Sequence, residues 1–175
     1  KKMIKVRDNI FMFEEARDLY QYFNINKGWT FTGGVDNSPY NKFNCQLSKD
    51  HKREAILFEK GEQLLQEFNL TGLKLIRAYG SATVSHMPQA MYVDEGVTEK
   101  DELYTVMFYI VPDWALEYGG ETLFVDSKGE VLDYFLPKPA RALVFDGSIL
   151  HGAKEVSSVC RELRVVVTLK YKRHA

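Results

Sequence analysis

From Gly72 onward the chain is a succession of short β-forming runs separated by turn residues. Leu73–Tyr79 alternates loosely, and Tyr104–Val111 is an unbroken run of β-formers. Glu121–Val125 is a shorter run. Val131–Leu136 alternates behind Lys128-Gly129, which reads as a hairpin turn. Ala142–Phe145 is apolar, and Arg164–Tyr171 sets Val165, Val167 and Leu169 on one face. Many short strands with turns between them predict a barrel or sandwich of antiparallel sheets.

The first seventy residues have a different period. Phe13, Ala16, Leu19, Tyr20 and Phe23 follow the three-and-four spacing of an amphipathic helix. Ser48 is placed to cap a second helix reaching about Phe68 and burying Ile56, Leu57, Leu64, Leu65 and Phe68, with Gly61 weakening its middle. The Gly-, Asn- and Pro-containing stretch Thr32–Asn44 reads as a loop between them. The expected fold class is mostly β with flanking helices packed on one sheet of the barrel. Residues 1–175 are expected to form one domain, with a helical part over 1–72 and a β core over 73–172.

With 175 residues and 45% apolar content, the chain can bury a sizeable core, which excludes a disordered protein. Lys plus Arg is 23 and Asp plus Glu is 24, so no basic excess favours nucleic acid. No apolar stretch approaches the roughly 20 residues that span a bilayer. Lys1-Lys2-Met3-Ile4-Lys5 lacks the apolar core of a signal peptide, and two cysteines are too few for a disulfide scaffold or a cysteine-based zinc site. A reducing, cytoplasmic compartment is expected.

Three features of the second half carry chemistry: Tyr92-Val93-Asp94, His151 after the turn Asp146-Gly147, and Arg164 opening the last strand. A carboxylate and an imidazole from separate strands can meet inside a barrel. With one more ligand they make the facial site of non-haem Fe(II), which keeps positions open. An arginine deeper inside offers a planar fork for a carboxylate. Taken singly, each has a plainer explanation as a turn aspartate, a hydrogen-bonded histidine or a surface cation.

The surrounding blocks are YTVMFYIVPDW at Tyr104–Trp114, YGGETLF at Tyr118–Phe124, LPKPARALVFDGSILHGA at Leu136–Ala153 and CRELRVVVTLKYK at Cys160–Lys172. In this order they resemble the double-stranded β-helix (jelly roll, cupin-like) core of the Fe(II)- and 2-oxoglutarate-dependent oxygenases, nearest the prolyl-hydroxylase-like branch. The resemblance covers roughly Leu73 to Lys172. It implies that His151 is the distal metal histidine and Asp94 the aspartate of the family's His-x-Asp motif. It further implies that Arg164 binds the far carboxylate of 2-oxoglutarate, with Arg161 a lesser substitute, that Tyr109 assists Arg164, and that Tyr79 faces the co-substrate. Gly119-Gly120 matches the turn before the next strand.

The pattern breaks at position 92, where the family has His and this chain has Tyr. Tyr92 could ligate only as phenolate, from a reference pKa of about 10. His86, six residues upstream, is an alternative ligand. A register starting at His86 puts Pro88 where the aspartate belongs and would make a two-histidine, halogenase-like site. Water completing a two-ligand shell, or no tight metal at all, are further options.

The resemblance implies Fe(II), 2-oxoglutarate and O2, with ascorbate as an auxiliary reductant, and oxygenation coupled to formation of succinate and carbon dioxide. The expected function is hydroxylation of a C–H bond in a peptide or small polar substrate. The alternatives are a catalytically lapsed barrel that binds a ligand or protein, the halogenase-like enzyme and, more remotely, a cupin-type sugar binder or isomerase. Thr32–Asn44 and the acidic Gly96–Leu103, with Glu95 beside it, are the expected substrate loops. The expected partner is a small molecule or peptide, not nucleic acid or membrane.

Overall fold

The structure, a computed structural model, describes residues 3–32, 42–94 and 102–173. Two antiparallel sheets face each other. The larger runs β1-β8-β5-β10-β4-β3-β2 and the smaller β7-β6-β9. The strands are β1 (Ile4–Arg7), β2 (Thr30–Thr32), β3 (Lys42–Gln46), β4 (Lys74–Thr83), β5 (Glu102–Ile110), β6 (Thr122–Val125), β7 (Val131–Phe135), β8 (Ala142–Asp146), β9 (Leu150–Ala153) and β10 (Arg164–Arg173).

β10 lies at the middle of the large sheet, hydrogen-bonded to β4 on one edge and β5 on the other. It is covered on both faces, and strand parity sorts its side chains between two cores. Val165, Val167, Leu169 and Tyr171 join the core beneath the helices. The other parity, Arg164, Val166, Thr168 and Lys170, turns into the barrel, where Val166 packs with Met107, Tyr109, Phe124, Leu143 and Phe145. β5 splits the same way, with Val106, Phe108 and Ile110 under the helices.

The helices are α1 (Phe13–Gln21), continued by a π-helical turn at Tyr22–Asn26, and α2 (Ala55–Glu67). Leu19, Tyr22, Phe23, Leu57, Phe58, Leu64 and Leu65 are their buried contribution. Phe13, expected in the apolar stripe, is 79% exposed. It is the first residue of the helix. Gly61, expected to weaken α2, instead permits its contact with β10. A Cβ there would stand 2.7 Å from Leu169 Cδ1 and 2.9 Å from the Tyr171 hydroxyl.

Ser48 does not cap α2. Its hydroxyl accepts from the Asp50 amide at 3.3 Å and its carbonyl from His51, so turns precede a helix that opens only at Ala55. The 1–72 part also supplies β1, β2 and β3. Lys42–Asn44, expected in a loop, is strand paired with β4 as well as β2, and β1 borders β8. Residues 33–41, the rest of that loop, lie outside the described residues. Among the described residues no helix is long and apolar enough to cross a membrane.

Candidate active site

The segment Tyr92-Val93-Asp94 lies antiparallel to β9. The Tyr92 amide donates to the His151 carbonyl at 2.8 Å, and the His151 amide returns a bond to Tyr92 at 2.9 Å. The Asp94 amide donates to the Gly147 carbonyl at 2.9 Å. Extended backbone turns residues 92 and 94 to the same side. The Tyr92 ring leans over His151, with centroids 4.7 Å apart, and Asp94 is buried to 2% exposure. Gly147 makes room for it, since a Cβ there would meet Leu103 and come within 2.8 Å of Asp94 Oδ2.

His151 is 4% exposed, its ring held between Phe124 and Phe145. Its Nδ1 is 2.8 Å from the Ile149 carbonyl, so Nδ1 carries the proton and donates, leaving the Nε2 lone pair free to ligate. That atom is 3.9 Å from Asp94 Oδ1. Burial pushes the imidazole below the usual histidine range, with Lys170 adding to the effect against the Ile149 carbonyl and Asp94. His151 is therefore neutral near pH 7, as a metal ligand must be.

Asp94 has two unlike oxygens. Oδ2 accepts from the Thr105 hydroxyl at 2.5 Å. Oδ1 accepts no aligned hydrogen bond, although the Lys170 ammonium stands 2.6 Å away. That ammonium balances the charge of the buried carboxylate. Metal bonds to O and N run about 2.0–2.2 Å, so two donors 3.9 Å apart can bracket one ion. Asp94 and His151 thus fit a divalent metal through two protein ligands.

Among the described residues no third His, Cys, Asp or Glu joins them. Tyr92 is 42% exposed, and desolvation of its hydroxyl with Tyr79 and Asp94 raises the phenol above its ordinary value against the opposing Arg164, so it is neutral in the metal-free protein. His86 does not reach this place. It sits in a turn at φ 64°, its side chain 73% exposed, with Nδ1 3.7 Å from Glu155 Oε1. Pro88 sits beside it rather than across from His151, so the two-histidine register has no support in the geometry.

Arg164 is 4% exposed. Its Nε donates to the Gly120 carbonyl at 2.7 Å and its Nη2 to Thr122 Oγ1 at 3.1 Å. The Tyr109 hydroxyl donates to the same Thr122 oxygen at 2.6 Å, and the guanidinium carbon is 5.6 Å from the Tyr109 ring centroid. No carboxylate of the described residues pairs with this guanidinium, and burial lowers its pKa from the usual arginine value. A sealed cation without a counter-ion is a receptor for an anion. Arg161, one turn earlier, is exposed.

Arg164, Tyr79, Tyr92, Thr168 and His151 line one small cavity of about 60 Å³. It adjoins a groove of about 520 Å³ that shares Tyr79 and Tyr92 and carries Lys42, Arg77 and Lys170. Of the acidic residues expected at the entrance, Glu95, Glu99 and Asp101 lie outside the described residues, and Glu102 pairs with Arg173 at 3.1 Å. The described walls of the groove are basic instead. Sequence reasoning missed Lys170, Thr105 and Thr122. The parity of β10, which sets Lys170 on the Arg164 face, was the available signal for the first.

The sequence profile of the 2OG-Fe(II) oxygenase superfamily matches residues 75–171. No curated protein matches the chain in sequence. Among solved structures, it is similar to a Pseudomonas putida prolyl-4-hydroxylase at TM-score 0.76 and 11% identity, covering 100% of this chain and 95% of that one. A Trichoplax adhaerens prolyl hydroxylase in complex with a hypoxia inducible factor peptide gives 0.73 and 16%, covering 96% and 82%. HygX from Streptomyces hygroscopicus, with nickel, 2-oxoglutarate and hygromycin B bound, gives 0.71 and 12%, covering 98% and 83%. These likenesses share the double-stranded β-helix fold. The profile match spans more than half of the residues, so the chain belongs to the 2OG-Fe(II) oxygenase superfamily, a class of enzymes whose cofactors are Fe(II) and 2-oxoglutarate.

Proposed function

We propose that the chain hydroxylates a C–H bond of a peptide or small polar substrate, using a metal held by only two protein side chains, Asp94 and His151. The observation that supports this is Asp94 Oδ1 standing 3.9 Å from the His151 Nε2 lone pair, with His151 and Arg164 lining one cavity. When bound, Fe(II) and 2-oxoglutarate would activate O2, one oxygen atom entering the C–H bond and the other entering succinate as the keto acid loses carbon dioxide.

The residues contribute position and charge. Arg164 pairs with the carboxylate of 2-oxoglutarate remote from the keto acid, a charge-assisted fork in a dry site. Tyr109 and Thr122 fix the guanidinium by a short hydrogen-bond chain. Ile149 locks the His151 tautomer. Tyr92 and Tyr79 wall the cavity toward the groove and shield it from bulk water. The substrate enters by the groove of Lys42 and Arg77.

Anaerobic titration with Fe(II) and 2-oxoglutarate is expected to develop the weak visible charge-transfer band of a chelated keto acid. Succinate should form when oxygen is admitted. The absence of both the band and succinate would overturn the reading. The two oxygenases of similar fold named above, one with a peptide and one with hygromycin B, support both substrate types.

A further inference from the structure

Lys170 stands inside the barrel, 6% exposed, on the strand that carries Arg164. Its Nζ lies 2.6 Å from Asp94 Oδ1, the same oxygen that faces His151, and 5.8 Å from the Tyr79 ring centroid. Asp94 cannot stay buried and ionised without a cation beside it. In the metal-free protein the ammonium is that cation. A divalent ion bonded to Oδ1 would sit within about 5 Å of it, too near for two positive charges in a closed site. Lys170 also lines the groove on its other side, so its long stem has room to swing outward.

We propose that Lys170 is a resident counter-ion for Asp94 that holds the metal's place, and that a divalent metal binds only by displacing its ammonium. The proposal rests on Asp94 and His151 being the metal ligands. It predicts a site that is intact without metal and loads weakly. Taking away the ammonium trades stability of the metal-free protein for affinity.

The test is calorimetric titration of Mn(II) into the wild type, Lys170→Met and Lys170→Arg, with melting of each protein in the presence of a chelator. Lys170→Met keeps the apolar stem and is expected to bind Mn(II) about tenfold or more tightly than wild type. It should melt lower in chelator and recover on adding Mn(II). Lys170→Arg, which keeps the charge, should bind as weakly as wild type. A purely structural lysine would lower stability in both variants and improve affinity in neither.

If Lys170→Met binds no more tightly than wild type while both bind stoichiometrically, the counter-ion role falls and the metal site stands. If neither binds, the two-ligand site falls, and the counter-ion role with it. A crystal structure of the wild type soaked in Mn(II) tests the idea without any variant. Lys170 should have left Asp94; an ammonium still at hydrogen-bonding distance beside a bound ion would overturn the proposal.

Discussion

Arg164 is held by a main-chain carbonyl and a threonine hydroxyl rather than by an acid, so its charge remains available to a ligand. Replacing it with methionine keeps the stem and removes the fork. Affinity for 2-oxoglutarate should fall roughly tenfold to a hundredfold, read by calorimetry, while Mn(II) affinity without 2-oxoglutarate changes little. Tyr92→His would supply the third donor that the described residues lack. It should raise metal affinity about tenfold over wild type, because its imidazole would lie directly opposite His151 in the backbone bridge. As candidates, Asp94, His151 and Arg164 were readable from the order of the sequence blocks, with His151 and Arg164 inside two of them and Asp94 ahead of the first. Lys170 was not weighed, since a lysine near a strand end ordinarily faces solvent. Its role depends on Asp94 arriving from a distant segment.

At the scale of elements, Glu54 joins the start of α2 to the end of α1. It is 1% exposed, and the Tyr22 hydroxyl, Lys27 and the Ser48 amide all donate to it, at 2.6, 2.5 and 2.7 Å. Burial alone would raise its pKa, but these three donors outweigh burial and hold it below the ordinary glutamate range. A depressed carboxylate adds stability above its unfolded pKa and loses it as pH falls toward the folded value. Glu54→Gln should therefore cost about 3 kcal/mol at pH 7. The gap from wild type should close as pH is taken below about 4.5, followed by urea unfolding. The alternating or apolar runs that became β4, β5, β6, β7, β8 and β10 were readable. β1, β2, β3 and β9 were not. Their hydrogen bonds come from neighbours in the sheet, β8 for β1, β3 for β2, β4 for β3 and β6 for β9, which their own residues do not announce.

Over the whole molecule, the two faces of the large sheet do different work. The helix-side core supports the sheet, and the barrel-side core positions the ligands. Leu57→Ala, beneath the helices, should cost about 3 kcal/mol and leave Mn(II) affinity unchanged. Phe124→Leu should cost less, about 1.5 kcal/mol, yet weaken Mn(II) binding, because Phe124 packs against the ring of His151. Parallel melting and metal titration of the two variants check the division. The fold class was visible from strand rhythm and helix period together. Its split into two cores was only half visible, because a strand covered on both faces reads as one apolar run.

On the proposed roles, β10 bears the anchor for the diacid, Arg164, at one end and, six residues along, the lysine that contacts Asp94. Both edges of that strand are laced to neighbours, so it cannot stretch or shorten. With Arg164 so fixed, and His151 in the same cavity of about 60 Å³, the proposed site would act as a yardstick for keto diacids. 2-Oxoadipate, one methylene longer, and oxaloacetate, one shorter, should each compete poorly for the pocket in displacement titrations, whatever the groove outside accepts.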